Sequence, residues 1–311
     1  MQSLKETVQA YEAGSLLKVD FIKKMHGIHK SLFEYQERLT ACNLSSIQIL
    51  RCEVVAEFLD PNIRMICPPG DHRIAPVEAL NFGAFEPAEI ALVRRLVDQL
   101  GGNKVHIFDI GANAGFYSLA LSKYFPGLRG VAFEPVPSTY SYLKRNLELN
   151  EVGEINALNL GLSDTEGDLA FAVEPEHSGA SFIASEANGG NAHLVTCRVT
   201  TVDNYIAQGG KVPDFIKCDV EGAEFLVFKG ACNLLKDFRP AIFTEILRKW
   251  AVKFNYHPND LIHYLSELGY CCLVIRGEKL SPISTVTDDT MDTNYVFLHR
   301  QTHSKSLLAF C

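Results

Sequence analysis

The chain has 311 residues, 47% of them hydrophobic and 21% charged, with a net charge of -8 and a pI near 5.7. This is the composition of a folded globular protein, and its acidity speaks against a nucleic-acid partner, which needs a basic field over phosphates. No apolar run reaches the length of a bilayer span, the first residues carry no secretory apolar core, and the nine cysteines form no C-x-x-C, so a reduced, cytoplasmic protein with no membrane partner is expected.

Residues 1–60 carry apolar faces at helical spacing: Leu4, Val8 and Tyr11, then Leu16 to Ile22, then Leu32, Phe33 and Leu39. A further stretch from Ile47 to Leu59 continues the pattern until Pro61. Together they predict an N-terminal helical extension, either a cap on the main domain or an arm for a homodimer or a substrate gate. The main domain is expected over 61–300. It opens with a short strand from Asn62 and a Pro-Pro-Gly turn crowded by Asp71, His72 and Arg73. Pro87 then starts a helix that ends at Leu100 before Gly101-Gly102.

Val105 to Ile110 is an apolar run carrying Asp109 near its end, and Gly111 and Gly115 follow at once. Helical spacing resumes with Phe116, Leu119, Ala120 and Tyr124, so the unit reads as strand, glycine turn, helix. The glycines let backbone approach a ligand that a Cβ would repel. The next strand, Gly130 to Phe133, ends on Glu134, about two dozen residues after Asp109, where an acid can hold both ribose hydroxyls of a nucleoside. The dinucleotide pattern G-x-G-x-x-G is not met, because Asn113 stands where the second glycine belongs. Losing that closest approach disfavours a pyrophosphate, and Asp109 would repel phosphate but suit a cation. S-adenosylmethionine, which has ribose and adenine with a positive charge, is therefore favoured over NAD.

A helix follows from Pro137 to about Asn150, then a third strand from Ile155 to Leu162 whose end carries Ser163 and Asp164. Asp164 is a candidate to accept from the adenine amine. Asp168–Val173 and Leu194–Thr200 alternate as strands, and the glycine-rich stretch between them, with His177, is expected to be a loop over the substrate. The fourth strand ends on Asp219, followed by Glu221 and Glu224 in the first turn of a helix, where acids favour the dipole. A fifth strand from Ala241 ends on Glu245, a helix runs from Pro258, and strands at Tyr270 and Asn294 close the domain. Residues 301–311 read as a disordered tail.

Asp109-Ile-Gly-Ala-Asn-Ala-Gly-Phe-Tyr-Ser118, Phe133-Glu-Pro-Val-Pro137, Leu162-Ser-Asp164 and Asp214-Phe-Ile-Lys-Cys-Asp-Val-Glu-Gly-Ala-Glu224 stand in one order in this chain. With Lys229-Gly-Ala231, Arg239 to Glu245 and Gly269-Tyr270, the set resembles the FkbM family of S-adenosylmethionine-dependent methyltransferases over roughly residues 80 to 300. The family motif's Lys-Ile-Asp is here Lys217-Cys218-Asp219. The resemblance implies an α/β class I methyltransferase (Rossmann-like) fold: a mostly parallel seven-stranded sheet, helices on both faces, and a last strand antiparallel to its neighbours. It also implies methyl transfer to a hydroxyl oxygen of a sugar, glycan or polyketide-type natural product. In that reading the glycine turn supplies Asp109, Gly111, Asn113 and Gly115, with Phe116 and Tyr117 of the helix behind it. The later strand tips supply Glu134 and Pro135, Ser163 and Asp164, and Asp219.

A protonated alcohol is a poor nucleophile, so a base is needed. Asp219, Glu221 and Glu245 are the candidates, with His177 outside them; Glu221 or Glu245 is favoured as base, and Asp219 as organiser of the cofactor's methionine end or of the acceptor. Three strand-end carboxylates could also share a divalent metal, although no ligand spacing requires one. A non-catalytic scaffold on the same fold and an NAD-dependent oxidoreductase are the alternatives.

Overall fold

A computed structural model describes residues 3–174, 177–183, 193–277 and 279–310, with backbone alone at 174 and 177–183. Helices α1 (Leu4–Glu12), α2 (Lys18–His29) and α3 (Ser31–Leu39) precede an antiparallel sheet of β1 (Leu44–Ile49), β2 (Val54–Phe58) and β3 (Arg64–Ile66). Helices α4 (Ala75–Phe82) and α5 (Pro87–Leu100) lead to β4 (His106–Ile110), α6 (Phe116–Tyr124), β5 (Arg129–Phe133), α7 (Pro137–Leu149) and β6 (Ile155–Leu158). A second sheet intervenes, made of β7 (Gly161–Leu162), β8 (Gly167–Glu174), β9 (His177–Ile183) and β10 (His193–Thr200). Alternation resumes with α8 (Val202–Ala207), β11 (Phe215–Cys218), α9 (Glu224–Lys229), α10 (Cys232–Asp237) and β12 (Ala241–Glu245). The remaining elements are α11 (Arg248–Ala251), α12 (Pro258–Glu267), β13 (Tyr270–Arg276), β14 (Lys279–Pro282), β15 (Asn294–His299) and α13 (Ser304–Phe310).

The main sheet has the order β14-β13-β15-β12-β11-β4-β5-β6. Its five strands from β12 to β6 are parallel, and β15 runs antiparallel to both of its neighbours, as the resemblance implies. Alternation along each strand divides the core between the two faces. Ile107 and Phe215 join the core that holds Leu92, Leu119 and Leu143, while Phe108, Ile216 and Cys218 join the core of Val227, Leu234 and Leu261. The sheet has eight strands rather than seven, because β14 adds an edge by hairpin pairing with β13.

Four local expectations are corrected. Ile47–Leu59 is not helical: β1 and β2 pair antiparallel with Leu44 opposite Phe58, and Leu50 N–H bonds Glu53 O at 2.9 Å to close the hairpin. Its apolar residues satisfied a helical spacing, but the β-branched Val54-Val55 pair suits a pleated, half-buried surface better. The third strand stops at Leu158 because Asn159 Nδ2 turns to the carbonyls of Glu134 (3.0 Å) and Pro135 (2.7 Å), and Gly161-Leu162 pair instead with β10. The single helix expected after Asp219 breaks at Gly230, where a Cβ would lie 2.0 Å from Ser163 O. The stretch between the strands at Asp168 and Leu194 is not all loop, since β9 pairs with β8.

The N-terminal sheet is tied to the main body by side-chain amides. Asn146 of α7, wholly buried, accepts from Ile66 N at 2.9 Å and donates to Ala114 O at 2.9 Å. Asn150 exchanges two bonds with the Arg64 backbone, at 2.8 and 2.6 Å. By contrast α2 buries none of its residues, and Val19, Ile22, Leu32 and Phe33 face solvent. Among the described residues no helix is long and apolar enough to cross a membrane, and the eight cysteines described are free thiols.

The tail is also ordered. Helix α13 buries Phe310 to 1% exposure, with the Arg95 guanidinium 4.8 Å above its ring. Phe310→Ala should therefore cost about 3 kcal/mol in urea denaturation, the usual loss for a large buried side chain; an unchanged midpoint would mean that the helix does not pack.

Candidate active site

The chain steps from β4 outward to β5 and β6, then returns to β11 on the other side of β4. The connections leaving β4 and β11 therefore part company, and a crevice opens outside the strand ends at that switch point. It is a cleft of about 1020 Å³ out to its open mouth. The tips of β4, β5 and β11 line it from Ile110 to Ala114, Phe133 to Pro135 and Asp219 to Glu221. Glu86, Phe116 and Tyr117 form one side, and Leu160, Leu162 and Phe171 form another.

Beneath this cleft lies a buried ion pair. Lys217 and Asp109 are direct neighbours across β11 and β4, on the same face of the sheet. The Lys217 ammonium is 3.9 Å from Asp109 Oδ1 and 3.3 Å from Asp219 Oδ2, and it donates to Gly111 O at 3.3 Å. It also lies 5.3 Å from the centroid of the Tyr117 ring. Burial alone would push the lysine down, but Asp219, Asp109 and Glu86 hold it above its ordinary range. Asp109 takes the Ser118 amide at 3.1 Å and hydroxyl at 2.6 Å on Oδ2, while Oδ1 makes no hydrogen bond. Its carboxyl is raised chiefly by burial, against the pull of Lys217. Asp109 is thus under the floor of the cleft and does not line it.

The turns above this pair are pressed together. A Cβ on Gly111 would sit 1.8 Å from Asp219 O, so only glycine fits there. Asn113 follows in the left-handed region (φ 50°), and its amide donates to Glu134 Oε2 at 3.0 Å. Val136 N donates to the other oxygen of Glu134, also at 3.0 Å. Burial raises the Glu134 carboxyl to about 7 despite these two bonds. Gly115 caps α6 and does not line the cleft; a Cβ there would meet Leu143 at 2.6 Å, so it serves packing.

The β11 tip gathers acids. Glu221 is not in the first turn of a helix as expected, but precedes α9 in the left-handed region (φ 53°) and lines the cleft. Burial, then Asp219, raises it to about 8. Glu245 ends the adjacent strand, one residue beyond the Cys218–Thr244 pair, and does not line the cleft. Burial, then Asp219 and Glu221, raises it to about 9. Glu224 is wholly buried and braces the turn, accepting from Val220 N (3.1 Å), Gly222 N (3.0 Å) and Tyr256 OH (3.1 Å).

Other expected residues fall elsewhere. Asp164 is drawn to Lys229 at 3.0 Å and Ser163 is buried behind the cleft wall, so neither lines the cleft; Leu160, Leu162 and Phe171 do. The backbone of His177 lies in β9, and its side chain lies outside the described residues. Among the described residues no three His, Cys, Asp or Glu side chains come together in a way that could hold a metal ion. Two residues were missed. A lysine inside an apolar strand, Phe215-Ile-Lys-Cys218, was a readable signal for Lys217. Glu86 had none, because its place in the cleft depends on its left-handed backbone (φ 42°) ahead of α5.

Residues 109–272, more than half of the chain, match the methyltransferase FkbM domain. The chain belongs to the FkbM methyltransferase family. Its relatives include methyltransferase 1 of Beauveria bassiana, 30% identical over 40% of this chain, and methyltransferase sdnD of Sordaria araneosa, 31% identical over 40%. The hexuronic acid methyltransferase AglP of Haloferax volcanii is 27% identical over 57% of the chain. The match spans 57%, 59% and 67% of the lengths of these three relatives. A solved methyltransferase FkbM from Methylobacillus flagellatus aligns at 19% identity and TM-score 0.41, over 63% of this chain and 44% of its own. The FkbM match starts at Asp109, so Glu86 lies before it.

The raised acids make a stability prediction. Glu221 and Glu245 keep protons in the folded chain that ordinary carboxyls release near 4.5, so stability falls as pH rises from about 4.5 through 8 to 9. Glu245→Gln, neutral throughout, should raise the thermal midpoint at pH 8 by about 3 °C or more and lose that gain near pH 4.5. A gain that does not depend on pH would show that the carboxyl is not so perturbed.

Proposed function

We propose that this FkbM protein transfers a methyl group from S-adenosylmethionine to a hydroxyl oxygen of a sugar, glycan or polyketide-type natural product. The observation that carries this reading is Glu134: it is buried at the β5 tip, pinned by two backbone amides, and lines the cleft where a nucleoside's ribose would lie. The donor set fits such a group. Leu162, Phe171, Phe133 and Pro135 offer an apolar slot for adenine, and the opposite end carries Glu86 and Asp219. Lys217 is taken up by Asp109, Asp219 and Gly111, and Arg73 at the mouth is paired with Glu78 at 2.7 Å. That distribution suits a cation better than a pyrophosphate.

When bound, the donor supplies a methyl group made electrophilic by its sulfonium. The protein's part is to align the acceptor oxygen with that methyl and to take the hydroxyl proton. Glu221 lines the cleft, and its carboxyl near 8 matches proton transfer close to neutral pH, so it is assigned as the base. Asp219 and Glu224, on the same turn, help keep that proton affinity high. Asp219, which lines the cleft beside Glu221, organises the cofactor's methionine end or the acceptor. The hexuronic acid named for the Haloferax volcanii relative supports an acceptor of sugar type.

Calorimetry with S-adenosylmethionine and S-adenosylhomocysteine tests the cofactor, and labelled methyl transfer to a panel of glycosides and polyketides tests the acceptor. Glu134→Gln should weaken both nucleosides roughly tenfold to a hundredfold, the cost of losing charge-assisted bonds to the ribose. Heat of binding with NAD and none with either S-adenosyl compound would overturn the reading.

A further inference from the structure

We infer that Glu86, which stands before the matched FkbM domain, is a cofactor-binding residue that receives the α-ammonium of the cofactor's amino-acid end. The inference rests on the cofactor reading above and extends it to a segment that the family match does not cover. Glu86 occupies the N-cap position of α5, yet its side chain makes no capping hydrogen bond. Its left-handed backbone (φ 42°, ψ 52°) and the following Pro87 turn the carboxylate away from the helix and into the cleft. A non-glycine residue in that region is uncommon and is held there by its surroundings.

What holds it is Tyr117, whose hydroxyl donates to Glu86 Oε2 at 2.5 Å. The other oxygen, Oε1, makes no hydrogen bond among the described residues. Tyr117 belongs to the first turn of α6, just after the glycine turn whose Asn113 amide holds Glu134. A nucleoside seated on Glu134 would therefore send its amino-acid end past Gly111 to Glu86. There Glu86 meets the field of Asp219, and the nearest ammonium, Lys217, is already taken up by Asp109, Asp219 and Gly111. This end of the cleft holds more carboxyls than ammonium groups. Burial raises the Glu86 carboxyl to about 7, and an arriving ammonium would return it to the charged form.

Two probes separate this from a general structural role. S-Adenosylhomocysteine carries the amino-acid end, and 5′-methylthioadenosine is the same nucleoside thioether without it. In calorimetry, Glu86→Gln should weaken S-adenosylhomocysteine about tenfold or more and leave 5′-methylthioadenosine unchanged. Tyr117→Phe, which frees Glu86 Oε2, should give a smaller loss confined to the same probe. Equal affinity of wild type and Glu86→Gln for S-adenosylhomocysteine would overturn the assignment, as would an equal loss for both probes. If Glu86→Gln does not fold, Glu86→Asp, one methylene shorter, must show the same selective loss, and its absence overturns the assignment. If the wild-type protein binds neither probe, the cofactor reading itself fails; if it binds S-adenosylhomocysteine and the variants bind equally well, only the role of Glu86 falls.

Discussion

A lysine ammonium inside a β-sheet sets the conditions for everything above it. Taking that charge out of water costs several kcal/mol unless partners compensate, and removing a partner leaves the rest stranded. Lys217 is compensated from three directions, by the Asp109 carboxylate, the Asp219 carboxylate and the Gly111 carbonyl. Two of these belong to β4 and its turn and one to the turn after β11, so the charge holds together the two strand ends that the topology would otherwise let diverge. Asp109 is itself fixed by Ser118 at the start of α6. The ring of Tyr117, one residue earlier on that helix, lies beside the ammonium and carries its position outward to Glu86.

Above that anchor, backbone strain and acidic charge occur together. Glu86, Asn113 and Glu221 are non-glycine residues with positive φ, and all three line the cleft. Such residues cost of order 1–3 kcal/mol each and persist only where surrounding contacts over-determine them. Those contacts are visible: Glu134 takes the Asn113 amide, Glu224 takes the amides on either side of Glu221, and the Tyr117 hydroxyl donates to Glu86. The two carboxyls that do the bracing, Glu134 and Glu224, are buried and pushed toward neutrality, and Glu86 is pushed the same way, so each is poised to respond to a nearby positive charge. Rigidity of the turns and proton affinity of the acids thus have one source.

The parallel part of the fold was legible because β4, β5, β11 and β12 are short apolar runs closed by glycine, proline or an acid, and α6 and α7 keep their period. Glu134 and Asp219 could be placed at the cleft from the same punctuation. What escaped the sequence depended on distant partners. Asp164 looked equivalent to the other strand-end acids, but Asn159 bends the chain out of the sheet before it and Lys229 draws it aside. Residues 47–59 satisfied a helical spacing while their pairing partners made them strands. Phe310 read as part of a tail until the surface beneath it was known. Glu86 is visible only through a backbone angle.

The buried amide of Asn146 has a consequence for modularity. One face of it closes the edge of the N-terminal sheet at Ile66 and the other holds the carbonyl of Ala114, inside the glycine turn. A chain cut where the FkbM match begins would strip Asn146 of the first contact and leave a polar group unsatisfied in the interior, next to the loop that shapes the cleft. The lead-in segment and the methyltransferase body are therefore a single mechanical part. A graft that moved one without the other would carry a distorted glycine turn with it.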